Sequence, residues 1–151
     1  RRFYADPEWR KTYKDLPEAA EKNWMDGSIR LSANDVTENA MKFDEWSLSL
    51  VRTMHEEGVK IIAGTDTPIG YLTPGYSLHK ELELLSEAGL SNLEVLKSAT
   101  ITPAEFFGLE DKMGAIEAGM LADLVILNQN PLESISNTQD IHLVIAKGYV
   151  Q

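Results

Sequence analysis

The run Val59-Lys60-Ile61-Ile62-Ala63-Gly64, followed at once by Thr65-Asp66-Thr67-Pro68, limits the fold more than any other stretch of this 151-residue chain. It is too short for a helix and rich in branched side chains, which predicts a strand buried on both faces, as in a parallel sheet. Helical patterns flank it. Upstream, Val36, Ala40, Phe43, Leu50, Val51 and Met54 recur near helical spacing, with Asn34 or Asp35 as the cap and Gly58 as the stop. Downstream, "LHKELELLSEAG" reads as an amphipathic helix with a solvated acidic face, ended by Gly89. Ser91 caps "NLEVLKSAT", and Thr102-Pro103 opens the short helix "PAEFFG". This order predicts an α/β fold class.

Asp66 then stands at the carboxyl end of the expected strand. Parallel α/β proteins bind ligands beyond the carboxyl ends of their strands, and an acid there can hold a metal or move a proton. An acid that caps a turn by accepting backbone N–H bonds fits the same position. Three specific motifs fail on the letters. A phosphate-binding P-loop requires a lysine that "GTDTPIGY" lacks. A pepsin-like acid would read Asp-Thr-Gly, but Pro68 follows Thr67. A phosphatase-type nucleophile would have a second acid where Pro68 stands.

The histidines are His55, His79 and His142, and they form no HxH or HExxH pair. His55 falls in the last turn of a helix, where an imidazolium favours the dipole. His142 alternates with strand residues. His79 begins a helix one loop beyond Asp66, on the same expected face of the sheet; a role near a site and a purely structural role both fit. A catalytic metal takes roughly three or four protein ligands. One acid and one histidine do not reach that number, so the chain alone is not expected to build such a site.

The first 34 residues are polar, with Phe3, Tyr4, Trp9, Tyr13 and Trp24 scattered through them. Asp6 and Pro7 suit the cap and first position of a helix, and Pro17 and Gly27 punctuate the rest of the segment. One or two short helices are expected, either as a surface elaboration or as a lid over a site. "TPGYS" reads as a turn or a mobile gate. Beyond Gly108 to Gly114 the character changes. "GAIEAGMLADLVILN" predicts two short strand-like pieces. Leu143 to Ala146 predicts another, followed by a Lys147-Gly148 turn, as in antiparallel hairpins. The expected division is an α/β part over 1–108 and a small β part over 109–151.

The net charge of −10 and pI near 4.7 argue against nucleic acid and against anionic membrane surfaces, both of which require a Lys/Arg face. The absence of cysteine excludes disulfides, thiolate zinc sites and cysteine nucleophiles. No apolar run approaches the ~18 residues of a spanning helix. A soluble chain is expected, with the cytoplasm favoured. It opens on Arg1-Arg2-Phe3, without an apolar leader, in sequence that already reads as mid-domain, so the expectation is a fragment of a longer protein.

"GVKIIAGTDTP", "SLHKELELLSEAGLSNLEVLKSATITPAEFFGLEDKMGAIEAGMLADLVILNQNPL" and the closing "LVIAKGYV", in this order and spacing, resemble the C-terminal part of the amidohydrolase superfamily. The nearest subgroup is the imidazolonepropionase-like and Xaa-Pro dipeptidase-like enzymes. The resemblance runs from about Glu57 to Val150 and is loose before that. It implies the end of a (β/α)8 barrel joined to part of a small composite β-sandwich. "VKIIAG" would be the eighth strand.

It further implies a metal-dependent hydrolase of a C–N bond in a cyclic amide or small peptide. A divalent metal, zinc by expectation, would activate the water. Asp66 matches the family's metal-binding and proton-shuttling Asp. His79 matches a histidine of the "SLHxEL" stretch and carries over only as a pocket residue. Thr65 and Thr67 are expected to orient the carboxylate, with Thr67 also a substrate-side candidate. The family's HxH pair, its bridging lysine and its later single histidines have no counterpart here. The isolated chain is therefore expected to be inactive, to hold no metal, and to self-associate through uncovered strand edges and apolar faces. The rival reading is a non-catalytic α/β binding or assembly module.

Overall fold

The computed structural model describes residues 3–33, 36–67 and 69–151. Helix α1 (Pro7–Arg10) lies between 3-10 turns at Phe3–Ala5 and Lys11–Asp15. The longer helices α2 (Glu18–Ser32) and α3 (Glu38–Glu56) come next. After the Val59 segment stand α4 (Tyr76–Glu87), α5 (Asn92–Ser98) and α6 (Ile101–Phe106). Three strands close the chain: β1 (Leu124–Leu127), β2 (Ile141–Ala146) and β3 (Tyr149–Val150), with a 3-10 turn at Ile135–Gln139 between the first two.

Helix ends obey local chemistry. Asp6 accepts the Glu8 N–H at 2.9 Å and Pro7 opens α1. Ser91 and Glu94 form a reciprocal capping box on α5, which satisfies two otherwise unpaired N–H groups. The expected caps of α3, Asn34 and Asp35, lie outside the described residues; Thr37 performs the task, accepting from Ala40 N–H at 3.2 Å. Gly58 and Gly89 stand just beyond α3 and α4, as expected from sequence.

The core is built from Leu82, Leu85, Ala88, Leu90, Val95 and Ile135. Leu48 and Val51 of α3 pack against it, as do Ile61 and Ala63 of the Val59 segment. Ile135 comes from the 3-10 turn between β1 and β2, so the C-terminal part adds a side chain to the core beneath α4 and α5. Sequence alone places the packing face of α3 on Val36, Ala40, Phe43, Leu50, Val51 and Met54. Of these, Val51 reaches the core, whereas Phe43, Leu50 and Met54 are exposed, together with Trp46.

The Val59 segment corrects the sequence reading. It forms no strand in this structure. Ile61 and Ala63 point into the helices, while Val59 and Ile62 are exposed. The alternation of a strand is present, but a parallel strand exists only by pairing with neighbours far away in sequence. Among the described residues none supplies that pairing. The Ala63 N–H instead donates to the Ser98 carbonyl at 2.9 Å, at the end of α5.

The C-terminal sheet is antiparallel in the order β1-β2-β3. Leu124 faces Ile145, Val125 faces Val144 and Ile126 faces Leu143, with an irregularity before Leu127. Lys147 and Gly148 both hold positive φ, 53° and 81°, the geometry that a two-residue hairpin needs to match strand twist. The expected strand around Ile116 is not formed, and Ile116 stands exposed. Among the described residues no helix is long and apolar enough to cross a membrane.

Candidate active site

The segment after the Val59 run folds back on itself in consecutive tight turns. The Asp66 carbonyl accepts the Ile69 N–H at 3.1 Å, and the Ile69 carbonyl accepts the Leu72 N–H at 3.0 Å. Asp66 itself has φ of 54° and is exposed. Its carbonyl closes the turn, which leaves the carboxylate at the surface. Thr65 and Thr67 flank it, both half-buried, with the Thr65 hydroxyl donating to Thr67 Oγ1 at 3.3 Å.

Beneath this loop lies Glu81, on α4. Burial pushes its pKa up from the usual carboxylate value, opposed by the nearby Gly64 backbone N–H. Sequence alone predicts a solvated acidic face for "LHKELELLSEAG", and Glu81 corrects that. Residues 81, 85 and 88 fall on one stripe at helical spacing, so Glu81 shares the inner face with the buried Leu85 and Ala88. That spacing is the signal in the sequence which reveals it.

His79 is half-buried, and its Nδ1 lies 3.0 Å from Thr138 Oγ1. The Thr138 hydroxyl donates its one proton to the Ile135 carbonyl at 2.8 Å. It can therefore only accept from His79, which places the imidazole proton on Nδ1 and leaves Nε2 as an acceptor. Burial lowers the His79 pKa below 6.5, opposed by the nearby Glu83 carboxylate. His79 lines a groove of about 550 Å³ together with Phe3, Trp9, Thr12, Glu83 and Gln139. Asp66 is not among the residues of that groove. His55 ends α3 and meets Glu94 at 3.4 Å, and His142 is exposed on β2.

The N-terminal aromatics, scattered in the sequence, converge on one residue of the loop. The Trp9 indole donates to the Tyr71 carbonyl at 2.9 Å. The Tyr71 ring lies 5.2 Å from that of Tyr4 and 6.2 Å from that of Trp24. Gly27, expected to punctuate this region, lies instead inside α2. It is buried against the Tyr71 ring, where a Cβ would come 2.5 Å from the Tyr71 hydroxyl. Farther along, Thr12 and the buried Thr73 share a hydroxyl hydrogen bond of 2.8 Å, and Tyr76 donates to Asp15 at 3.0 Å. The segment expected as an elaboration or a lid is thus attached to the loop that begins at Asp66.

Metal chemistry is a matter of donors. Among the described residues, no group of three or more His, Asp or Glu side chains is placed to hold an ion.

The model of the amidohydrolase family matches residues 14–150, and the chain belongs to that family. It is 37% identical over 76 residues to a 5'-deoxyadenosine deaminase of Methanobrevibacter smithii, covering 48% of this chain and 18% of that protein. It is 37% identical over 78 residues to an imidazolonepropionase of Symbiobacterium thermophilum, covering 51% of this chain and 18% of that protein. Among solved structures it is similar to a Xaa-Pro dipeptidase with methionine bound in its active site. The identity is 35% and the TM-score 0.63, over 69% of this chain and 25% of the dipeptidase. The chain therefore spans about a fifth to a quarter of the length of these relatives.

Proposed function

We propose that the chain is the C-terminal piece of a metal-dependent amidohydrolase that hydrolyses a C–N bond in a cyclic amide or small peptide, with Asp66 as its proton-carrying acid. In this reading residues 1–108 complete a (β/α)8 barrel and residues 109–151 contribute strands to a composite β-sandwich. The observation that carries the proposal is the exposed Asp66 carboxylate, presented on a braced turn directly after the Val59–Gly64 run. An imidazolonepropionase and a Xaa-Pro dipeptidase among the relatives support a small cyclic or dipeptide substrate.

A divalent ion, zinc by family expectation, would supply a water acidified from a pKa of ~15.7 toward ~7. Asp66 would be one of its ligands. Its own task is to accept a proton on a carboxylate oxygen and return it to the leaving nitrogen, which requires hydrogen-bond reach to both. In this reading Thr65 and Thr67, which flank Asp66 and bond to each other, would orient the carboxylate, and His79 would serve a pocket wall rather than the chemistry.

The test is Asp66→Asn in the complete enzyme, assayed on dipeptides and cyclic amides. Loss of at least ~10²-fold in kcat, the usual scale for a positioned acid–base group, with unchanged thermal stability is expected. Retained turnover would sink the assignment. The 151 residues by themselves, supplied with zinc, are expected to show no turnover, and activity in that sample would defeat the claim that the other donors come from elsewhere.

A further inference from the structure

Asp66 and Tyr71 both hold left-handed φ, 54° and 70°, and neither is glycine. Aspartate tolerates that region, whereas a bulky residue such as tyrosine keeps it only where its surroundings over-determine it. For Tyr71 those surroundings are evident. The Trp9 indole holds its carbonyl at 2.9 Å. Tyr4 and Trp24 pack against its ring, and Gly27 makes room for it, since a Cβ there would come 2.5 Å from the Tyr71 hydroxyl and push the ring aside. The Thr12–Thr73 hydrogen bond pins the chain two residues further on. Among the described residues Asp66 has no comparable cage. It is connected to Tyr71 through the two hydrogen-bonded turns closed by Ile69 and Leu72.

We propose that Tyr71 is a positioning residue: seated between Trp9, Trp24 and Gly27, it fixes the turn that presents the Asp66 carboxylate. The aromatic N-terminal segment then acts as a brace on the catalytic loop rather than as a lid that opens. Tyr71 touches no reacting atom and acts only through the backbone of Asp66. This inference rests on the reading of Asp66 as the proton-carrying acid.

The test uses the complete enzyme and three variants. Tyr71→Ala removes the ring, Tyr71→Phe keeps it, and Gly27→Ala displaces it without changing any residue of the loop. Gly27→Ala also serves if Tyr71→Ala does not fold. Amide exchange at Ile69 and Leu72 is expected to rise about tenfold or more in Tyr71→Ala and Gly27→Ala, and to stay within about twofold in Tyr71→Phe. In the same two variants kcat should fall on the order of 10²-fold with KM little changed, the scale for a reacting group misplaced by ~1 Å. The acid limb of the kcat–pH profile should also move, which a mere loss of folded enzyme would not produce.

Unchanged exchange at Ile69 and Leu72 in the alanine variants would overturn the brace, as would equal losses in Tyr71→Ala and Tyr71→Phe. Failure of the Asp66 assignment looks different. Asp66→Asn with wild-type turnover would overturn the catalytic role of Asp66, and with it the catalytic consequence of the brace, whatever the exchange data show.

Discussion

His79 Nδ1 meets Thr138 Oγ1 at 3.0 Å across 59 residues of sequence, joining α4 to the 3-10 turn that supplies Ile135 to the core. Thr138→Val should remove the acceptor and leave a half-buried N–H unpaired, at a cost of about 1–2 kcal/mol. Urea unfolding would measure it; an unchanged midpoint would mean that water takes the place of the hydroxyl.

The same pair predicts a pH dependence. Burial lowers the folded His79 pKa below 6.5, so the unfolded chain binds its proton first as pH falls. Stability from this group is then complete above about pH 6.5 and declines as pH drops toward the lower folded value. His79→Gln should flatten that part of the stability–pH curve. A variant that tracks the wild-type curve between pH 7 and 5 would remove His79 as its source.

Glu81 has the opposite sign. Its folded pKa is raised by burial, so the folded state holds the proton more tightly than the unfolded one. Its contribution favours folding below the unfolded carboxylate pKa and is lost as pH rises through the folded value. At pH 7 the ionised carboxylate is a burden. Glu81→Gln keeps the side chain's length and removes the charge, so thermal unfolding at pH 7 should shift upward and the difference should vanish in acid. A lower melting temperature at pH 7 would show that the charge itself is required there.

Gly114 has φ of 101°, and a Cβ there would come 2.8 Å from Ala104 Cβ and 3.1 Å from Ile101 Cα. Gly114→Ala combines left-handed backbone with overpacking against a helix, and about 2 kcal/mol or more of destabilisation is expected. A melting temperature within a degree of wild type would show that α6 moves aside freely.

Helix α3 exposes Phe43 at 63%, Trp46 at 57% and Leu50 at 42%, a contiguous stripe at helical spacing. Surfaces of this kind drive association when left uncovered. The 151-residue chain is expected to self-associate in sedimentation experiments, and Trp46→Glu with Leu50→Glu should shift it toward monomer. A clean monomer before mutation would refute this.

Several helix ends were legible because they depend on neighbours in sequence, although α4 and α6 begin at Tyr76 and Ile101 rather than at Leu78 and Thr102. Asp6 with Pro7, Ser91 with Glu94, and the glycines at 58 and 89 each act within one turn. The closing hairpin was legible through Lys147-Gly148 for the same reason. The family was legible too, through the order of "GTDTP", "SLHKEL" and "GMLADLVILN". Less accessible were the side chains whose surroundings come from far along the chain. In sequence Glu81 looks like one of several surface acids, and Gly27 looks like a break in a helix.

Sequence by itself determined most helices and the closing hairpin, the placement of Asp66 directly after a short apolar run, and membership of a family. Tertiary structure decided three further matters. The Val59 run stays unpaired, because strand pairing needs a remote partner and local propensity cannot supply one. Tyr71 becomes the anchor of the Asp66 loop, because Trp9, Trp24 and Gly27 reach it only through folding. Glu81 and His79 acquire shifted proton affinities, because desolvation is a property of what packs around a group and not of the residue itself.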